Sequence, residues 1–246
     1  MTPAKESIAI GNFDNLIVDT KQVGKNCLDR KKHGEFLPSS ARILICGASN
    51  CGKTNVLLNL IVDKNGLKFK NRYLFSKSLY QEKYKLLDIV FSKLKCVNYY
   101  KSDNIECIPQ PNDIDTHSLI IFDDLNVTRV PQIRNFFTMG RHKSIDCVYL
   151  IQSYGAISKH HIRDNANMLI IFKMDMHNLK LIFRDFVGTD MTFVAFRNLC
   201  SHVWQSGGNH SFISIFTECT PDAGKYRNCL GMYIDPSVYS SSSTTN

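Results

Sequence analysis

Gly47-Ala48-Ser49-Asn50-Cys51-Gly52-Lys53-Thr54 follows the apolar run Arg42–Cys46 and precedes a second apolar run over residues 55–62. The eight residues satisfy GxxxxGK[ST] at every required position. The run before them is short and partly β-branched, which reads as a buried strand; the run after them reads as a buried helix. Strand, glycine-bearing loop and helix form the context that gives this pattern its chemistry. The glycines let the backbone wrap closely around phosphates, and the N–H groups of Asn50, Cys51, Gly52 and Lys53 can turn inward as an anion nest. The helix aims the positive end of its dipole at the same point. Lys53 is then expected to reach the β- and γ-phosphates of ATP, and the Thr54 hydroxyl to ligate Mg²⁺. A chance Gly-rich turn is the competing reading, and both flanking runs argue against it.

Outward from this block, residues 71–75, 96–100, 118–122, 146–151, 168–172, 212–216 and 230–234 read as strands. Residues 81–94 and 131–139 read as helices, and Met176, Leu179, Ile182, Phe183, Phe186 and Val187 share one helical face. Residues 108–116 carry two prolines and read as a loop. This alternation predicts an α/β fold with a mainly parallel central sheet flanked by helices. Residues 38–236 are expected to form that domain, residues 1–37 an N-terminal extension, and residues 237–246 a disordered Ser/Thr tail.

The chain has 246 residues, 43% hydrophobic and 21% charged, which suits a soluble globular protein with one large domain. No apolar run approaches the roughly 18–20 residues of a membrane span, and the opening MTPAKESIAIGNFDN has no apolar signal core. A cytosolic or nuclear protein is expected. The nine cysteines are odd in number and form no CxxC pair, which argues against a disulfide framework or zinc site. Cys46 and Cys147 lie in apolar runs, where a thiol acts as a small hydrophobe.

The net charge of +8 arises within residues 41–100, which hold 11 Lys/Arg against 3 Asp/Glu. Lys64, Lys68, Lys70, Arg72, Lys77, Lys83, Lys85, Lys93 and Lys95 supply most of it. A solvated basic flank and a surface for a nucleic-acid backbone are both compatible with such a run.

Leu119-Ile120-Ile121-Phe122-Asp123-Asp124 is an apolar strand ending in two acids, the Walker B pattern. A strand beside the phosphate-loop strand would bring Asp123 to the Mg²⁺ and its water shell. Asp124 could then orient or deprotonate the attacking water. Many motor ATPases carry Glu at this second position. Asp is one methylene shorter, so either the strand end moves inward or the water is held differently. Gln152 ends the next strand, where its amide can hydrogen-bond both γ-phosphate and water; an ordinary polar strand terminus is the alternative.

The stretch Thr138-Met139-Gly140-Arg141-His142-Lys143-Ser144-Ile145-Asp146-Cys147-Val148-Tyr149-Leu150-Ile151-Gln152-Ser153 resembles the arginine, strand and sensor-Gln block of the FtsK–HerA superfamily. The order of glycine loop, hydrophobic-Asp-Asp, Gly-Arg-His and strand-Gln is similar to the poxvirus-type genome-packaging ATPases of large DNA viruses, virophages and virus-like self-synthesising transposons. Ile162-Arg163-Asp164-Asn165, followed by residues 168–173, fits the same pattern. The resemblance covers about residues 40–185.

It implies a RecA-like core, a homo-oligomeric ring, and ATP-driven pumping of double-stranded DNA into a preformed capsid. It places catalytic and metal roles on Lys53, Thr54, Asp123, Asp124 and Gln152. It also implies an arginine finger acting across subunits, with Arg141 preferred and Arg163 the second candidate. Capsid proteins would be partners, and the setting would be the host cytoplasm or nucleus at sites of virion assembly, or the virion itself. Competing readings are a small-molecule kinase, a DNA helicase or transposition ATPase, and a weakly hydrolysing assembly factor. No arginine-rich lid cluster follows residue 140, which disfavours the kinase.

Overall fold

The computed structural model describes residues 33–34, 36–92, 98–126, 130–208 and 210–240. Expectations for residues 1–32 and 241–246, and for Lys93 and Lys95, lie outside the described residues. Eight strands form one sheet: β1 (Arg42–Cys46), β2 (Asn71–Ser76), β3 (Asn98–Ser102), β4 (Ser118–Asp123), β5 (Ile145–Ile151), β6 (Met168–Phe172), β7 (Phe212–Phe216) and β8 (Tyr226–Asn228). Their order is β3-β2-β4-β5-β1-β6-β7-β8. Pairings from β3 through β6 are parallel, and β7 and β8 are antiparallel.

Helices cover both faces: α1 (Lys53–Val62), α2 (Glu82–Ser92), α3 (Gln132–Met139), α4 (Met176–Ile182) and α5 (Phe193–Ser206); α6 (Ser237–Ser240) is a single turn near the end. Alternation along β1 divides the core. Leu44 and Cys46 pack towards α3, α4 and α5, whereas Ile43 and Ile45 pack towards α1 and α2. A strand buried on both faces reads as a near-continuous apolar run, which is why residues 43–46 were legible behind the buried Arg42. The seven cysteines among the described residues are free, with Cys46 and Cys147 buried.

The sheet order corrects one expectation. β4 is not beside β1, because β5 lies between them. The α3 crossover returns the chain into that gap. Asp123 is therefore displaced sideways from the loop strand by two strand spacings, roughly 10 Å. It stays at the same end of the sheet, since Cys46 pairs with Ile151 and Asp123 with Leu150.

Two late elements also differ. α5 was not anticipated, although Thr192 caps it by accepting from Ala195 N at 3.2 Å. The strand expected over residues 230–234 is instead a return limb. Cys229 turns at φ 52°, β8 precedes it, and residue 233 makes only an isolated bridge to Arg227.

Candidate nucleotide-hydrolysis site

After β1 the chain turns through residues 47–52 into α1. Asn50 at φ 62° and Gly52 at φ 111° are left-handed, so the loop reverses tightly on itself. A Cβ at Gly47 would stand 2.6 Å from Cys51 Sγ and 2.7 Å from Phe172 Cβ, so packing excludes any side chain there. Lys53 opens α1 and folds its ammonium back across the loop, donating to Gly47 O at 2.7 Å and Ala48 O at 2.8 Å. Cys51 N–H donates to Ala48 O at 3.4 Å, so one of the four expected inward donors bonds within the loop. Ser49, Asn50, Gly52, Lys53 and Thr54 line a cleft at this end of the sheet. His210, just before β7, approaches the loop from behind, 3.0 Å from the Cys51 carbonyl. A carbonyl only accepts, so His210 Nδ1 carries the proton in this contact.

Asp123 and Asp124 line the same cleft and are held differently. Asp123, the last residue of β4, is 9% exposed. Its Oδ2 accepts from the hydroxyl of Tyr84 on α2 and from Ser76 Oγ at 3.5 Å. Desolvation pushes its carboxyl up to about 6, Lys53 pulling against this and Asp124 adding to it. Asp124 is exposed and turns at φ 53°. Its N–H donates to Leu150 O at 3.3 Å, and its Oδ1 accepts from Gln152 Nε2 at 3.0 Å. The tip of the intervening strand thus meets the second acid directly.

The two arginines lie in contrasting places. Arg141 is exposed, in the short helix Gly140–Lys143 that leads into β5. Because β5 runs parallel to β1, that entrance is at the sheet end away from the loop, about 20 Å along the strand. Its charge is felt instead by Arg42 at the start of β1. Arg163 is 6% exposed. It donates to Ile157 O at 3.0 Å and Gly155 O at 3.1 Å, pairs with Asp185 at 3.2 Å, and stacks 4.5 Å over the Tyr154 ring. These bonds hold Arg163 within its own chain, in contrast to the exposed Arg141.

The single basic flank is also corrected. Lys64, Lys68 and Lys70 gather before the start of β2, while Lys77 and Lys83 follow its end. Arg72 is buried, its guanidinium 3.7 Å over the Phe91 ring. Lys83 is turned into the cleft, where it lines the wall with Ser78 and Gln81.

The family model for the poxvirus A32 protein matches residues 30–203. The chain belongs to the poxvirus A32 protein family. That match spans the glycine loop, both acids, Arg141 and Gln152, and ends inside α5. Among solved structures, the DNA-packaging ATPase B204 from Sulfolobus turreted icosahedral virus is similar at 13% identity and TM-score 0.51, over 77% of this chain and 97% of that one. The genome packaging NTPase B204 from Sulfolobus turreted icosahedral virus 2 in complex with AMPPCP is similar at 13% identity and TM-score 0.51, over 78% and 98%. Its complex with AMP gives 12% identity, the same TM-score of 0.51, and 78% and 98%. These likenesses establish a shared fold. No match was found among curated proteins.

Within this A32-family site, Ser76, Ser78, Gln81, Lys83 and Tyr84 escaped the sequence reading. All come from the end of β2 and the start of α2, which the pairing of Ser76 with Asp123 brings alongside. No local signal in the sequence announces that pairing.

Proposed function

We propose that this chain is an ATP-hydrolysing motor that drives double-stranded DNA into a preformed capsid. The observation carrying this reading is the Gln152–Asp124 hydrogen bond at the mouth of the Lys53–Thr54 cleft. It brings an amide suited to positioning water, a candidate base and the phosphate cradle together at one end of the sheet.

Lys53 binds the β- and γ-phosphates. Gln152 gives its N–H to Asp124, which leaves its amide oxygen to accept from a water. Asp124 orients that water and takes its proton as the γ-phosphate is attacked. Thr54 and Asp123 suit Mg²⁺ by their chemistry, being a hydroxyl and a carboxylate oxygen, the hard donors this ion prefers. Tyr84 and Ser76 both address Asp123 Oδ2, and the desolvated carboxylate gains from a nearby cation. Among the described residues no three His, Cys, Asp or Glu side chains could enclose a metal; Mg²⁺ of this class is bound by one or two protein oxygens together with substrate phosphates. An ion held by Thr54 and Asp123 would supply positive charge to offset the charge developing on the transferring phosphoryl group.

In the ring expected of such a motor, Arg141, which is exposed and distant from its own cleft, would serve a neighbour's. Capsid proteins are the expected partners of such a ring at sites of virion assembly, in the host cytoplasm or nucleus. The test is ATP turnover with and without linear duplex DNA, Lys53→Ala serving as the inactive control. Duplex should stimulate turnover without sequence preference, since a translocating motor grips phosphates. Absence of both stimulation and duplex binding at low salt would refute the motor. Strand separation of a forked duplex would favour a helicase.

A further inference from the structure

Ser78, Gln81 and Lys83 line the same cleft as the glycine loop, and the mechanism above uses none of them. We propose that Lys83 is a second phosphate-binding cation, supplied by α2, that contacts the γ-phosphate and distinguishes ATP from ADP. The proposal rests on the ATPase reading and adds a residue to it.

Position is the first argument. Lys83 lines the same cleft as Lys53, Thr54, Asp123, Asp124 and Gln152. It is half-buried, whereas its helical neighbours Glu82 and Lys85 are exposed. Its backbone is fixed by what adjoins it. Ser78 N–H donates to Ser76 Oγ at 3.1 Å, Gln81 N–H donates to Ser78 O at 3.1 Å, and Tyr84 hydrogen-bonds Asp123. Lys83 therefore stands one residue from a side chain anchored on the candidate metal ligand. Its charge reaches across the cleft, lowering the affinity of the Cys51 thiol for its proton against the larger opposing effect of burial.

Charge is the second argument. The side chains of two acids and Lys53 alone carry a net negative charge, which bound Mg²⁺ would offset only beside Asp123. Lys83 balances it. Side is the third. The loop N–H groups cradle the α- and β-phosphates, while the paired acids mark where the γ-phosphate reacts. Lys83 arrives from the first turn of α2, on the acids' side, because β2, which leads into that helix, pairs with β4. A lysine there meets the terminal phosphate, the group ADP lacks.

The test compares binding of Mg·AMPPCP and Mg·ADP by calorimetry. Lys83→Gln should weaken AMPPCP about tenfold, the scale of one charge-assisted hydrogen bond, and change ADP by less than about twofold. Retained ADP binding reports a folded site. Lys83→Arg should keep most of the AMPPCP affinity, and Lys85→Gln, on the exposed face, should match wild type. Equal weakening of both nucleotides, no weakening of either, or a loss in Lys83→Arg as large as in Lys83→Gln would overturn the proposal. Wild-type protein that binds neither nucleotide would remove the ATPase reading beneath it.

Discussion

Replacing Asp123 by Asn should make the fold more stable while ending ATP hydrolysis. Burial holds the Asp123 carboxyl at about 6 against an ordinary value of 3.8. At about 1.36 kcal/mol per pH unit, keeping it ionised at neutral pH costs about 3 kcal/mol. The Tyr84 hydroxyl already offsets part of that cost, and an asparagine oxygen still accepts from it. A net gain of about 1–2 kcal/mol is expected for the variant. The folded carboxyl holds its proton more tightly than the unfolded one. Its stabilising contribution is therefore complete below pH 3.8 and is lost as pH rises through about 6. Asparagine does not titrate, so the gap between variant and wild type should be full at about pH 7.5 and fall by about 2 kcal/mol by about pH 4, where it closes or slightly reverses. For a chain of this size the full gap corresponds to about 3–8 °C in Tm. Thermal and urea unfolding in chelator, without nucleotide, would measure it across that range. A wild type as stable as the variant at neutral pH, or a gap that does not shrink on acidification, would refute the account of this carboxylate.

Asp124→Asn keeps an oxygen for the Gln152 amide, so it should bind Mg·ATP within a few-fold of wild type. Its turnover in a steady-state phosphate-release assay should fall about 10²–10⁴-fold; equal loss of binding would show that the two acids' roles are divided wrongly. Arg163→Ala removes one of the partners of Asp185, itself 2% exposed, while Tyr154 and Arg184 still donate to it, and should cost about 1.5–3 kcal/mol in urea unfolding. Arg141→Ala should leave stability unchanged and lose hydrolysis, and mixing it with Lys53→Ala subunits should restore part of it; the reverse pattern would exchange the two arginines.

Local features of this chain were legible and its neighbour relations were not. β1, β6 and β7 could be delimited because buried strands with apolar residues on both faces stop where glycine or polar residues begin. The glycine loop was legible because phosphate binding constrains consecutive residues. By contrast, the insertion of β5 between β1 and β4 is a choice of sheet partner, and no run of residues encodes it. Tyr84 sat at helical spacing among apolar residues, so its ring read as core and its hydroxyl went unseen. Lys83 and Arg72 were counted together as surface charge, yet one faces the nucleotide cleft and the other lies stacked on Phe91. Sequence position does not distinguish them. α5 was readable in principle: Thr192 precedes Ala195, Phe196, Leu199, Cys200 and Val203, a capped apolar stripe.

The reversal of direction at β7 ties the two ends of the domain together. Phe172, at the exit of β6, pairs with Phe212, at the entrance of β7, and their rings lie 5.2 Å apart. Had β7 continued parallel, its entrance would open at the far end of the sheet. Instead the connection from α5 surfaces beside the glycine loop, and His210 hooks the Cys51 carbonyl there. The family-matched stretch ends at residue 203. A chain stopping there would carry every phosphate-binding and hydrolytic signature and still leave the loop without the buttress behind it.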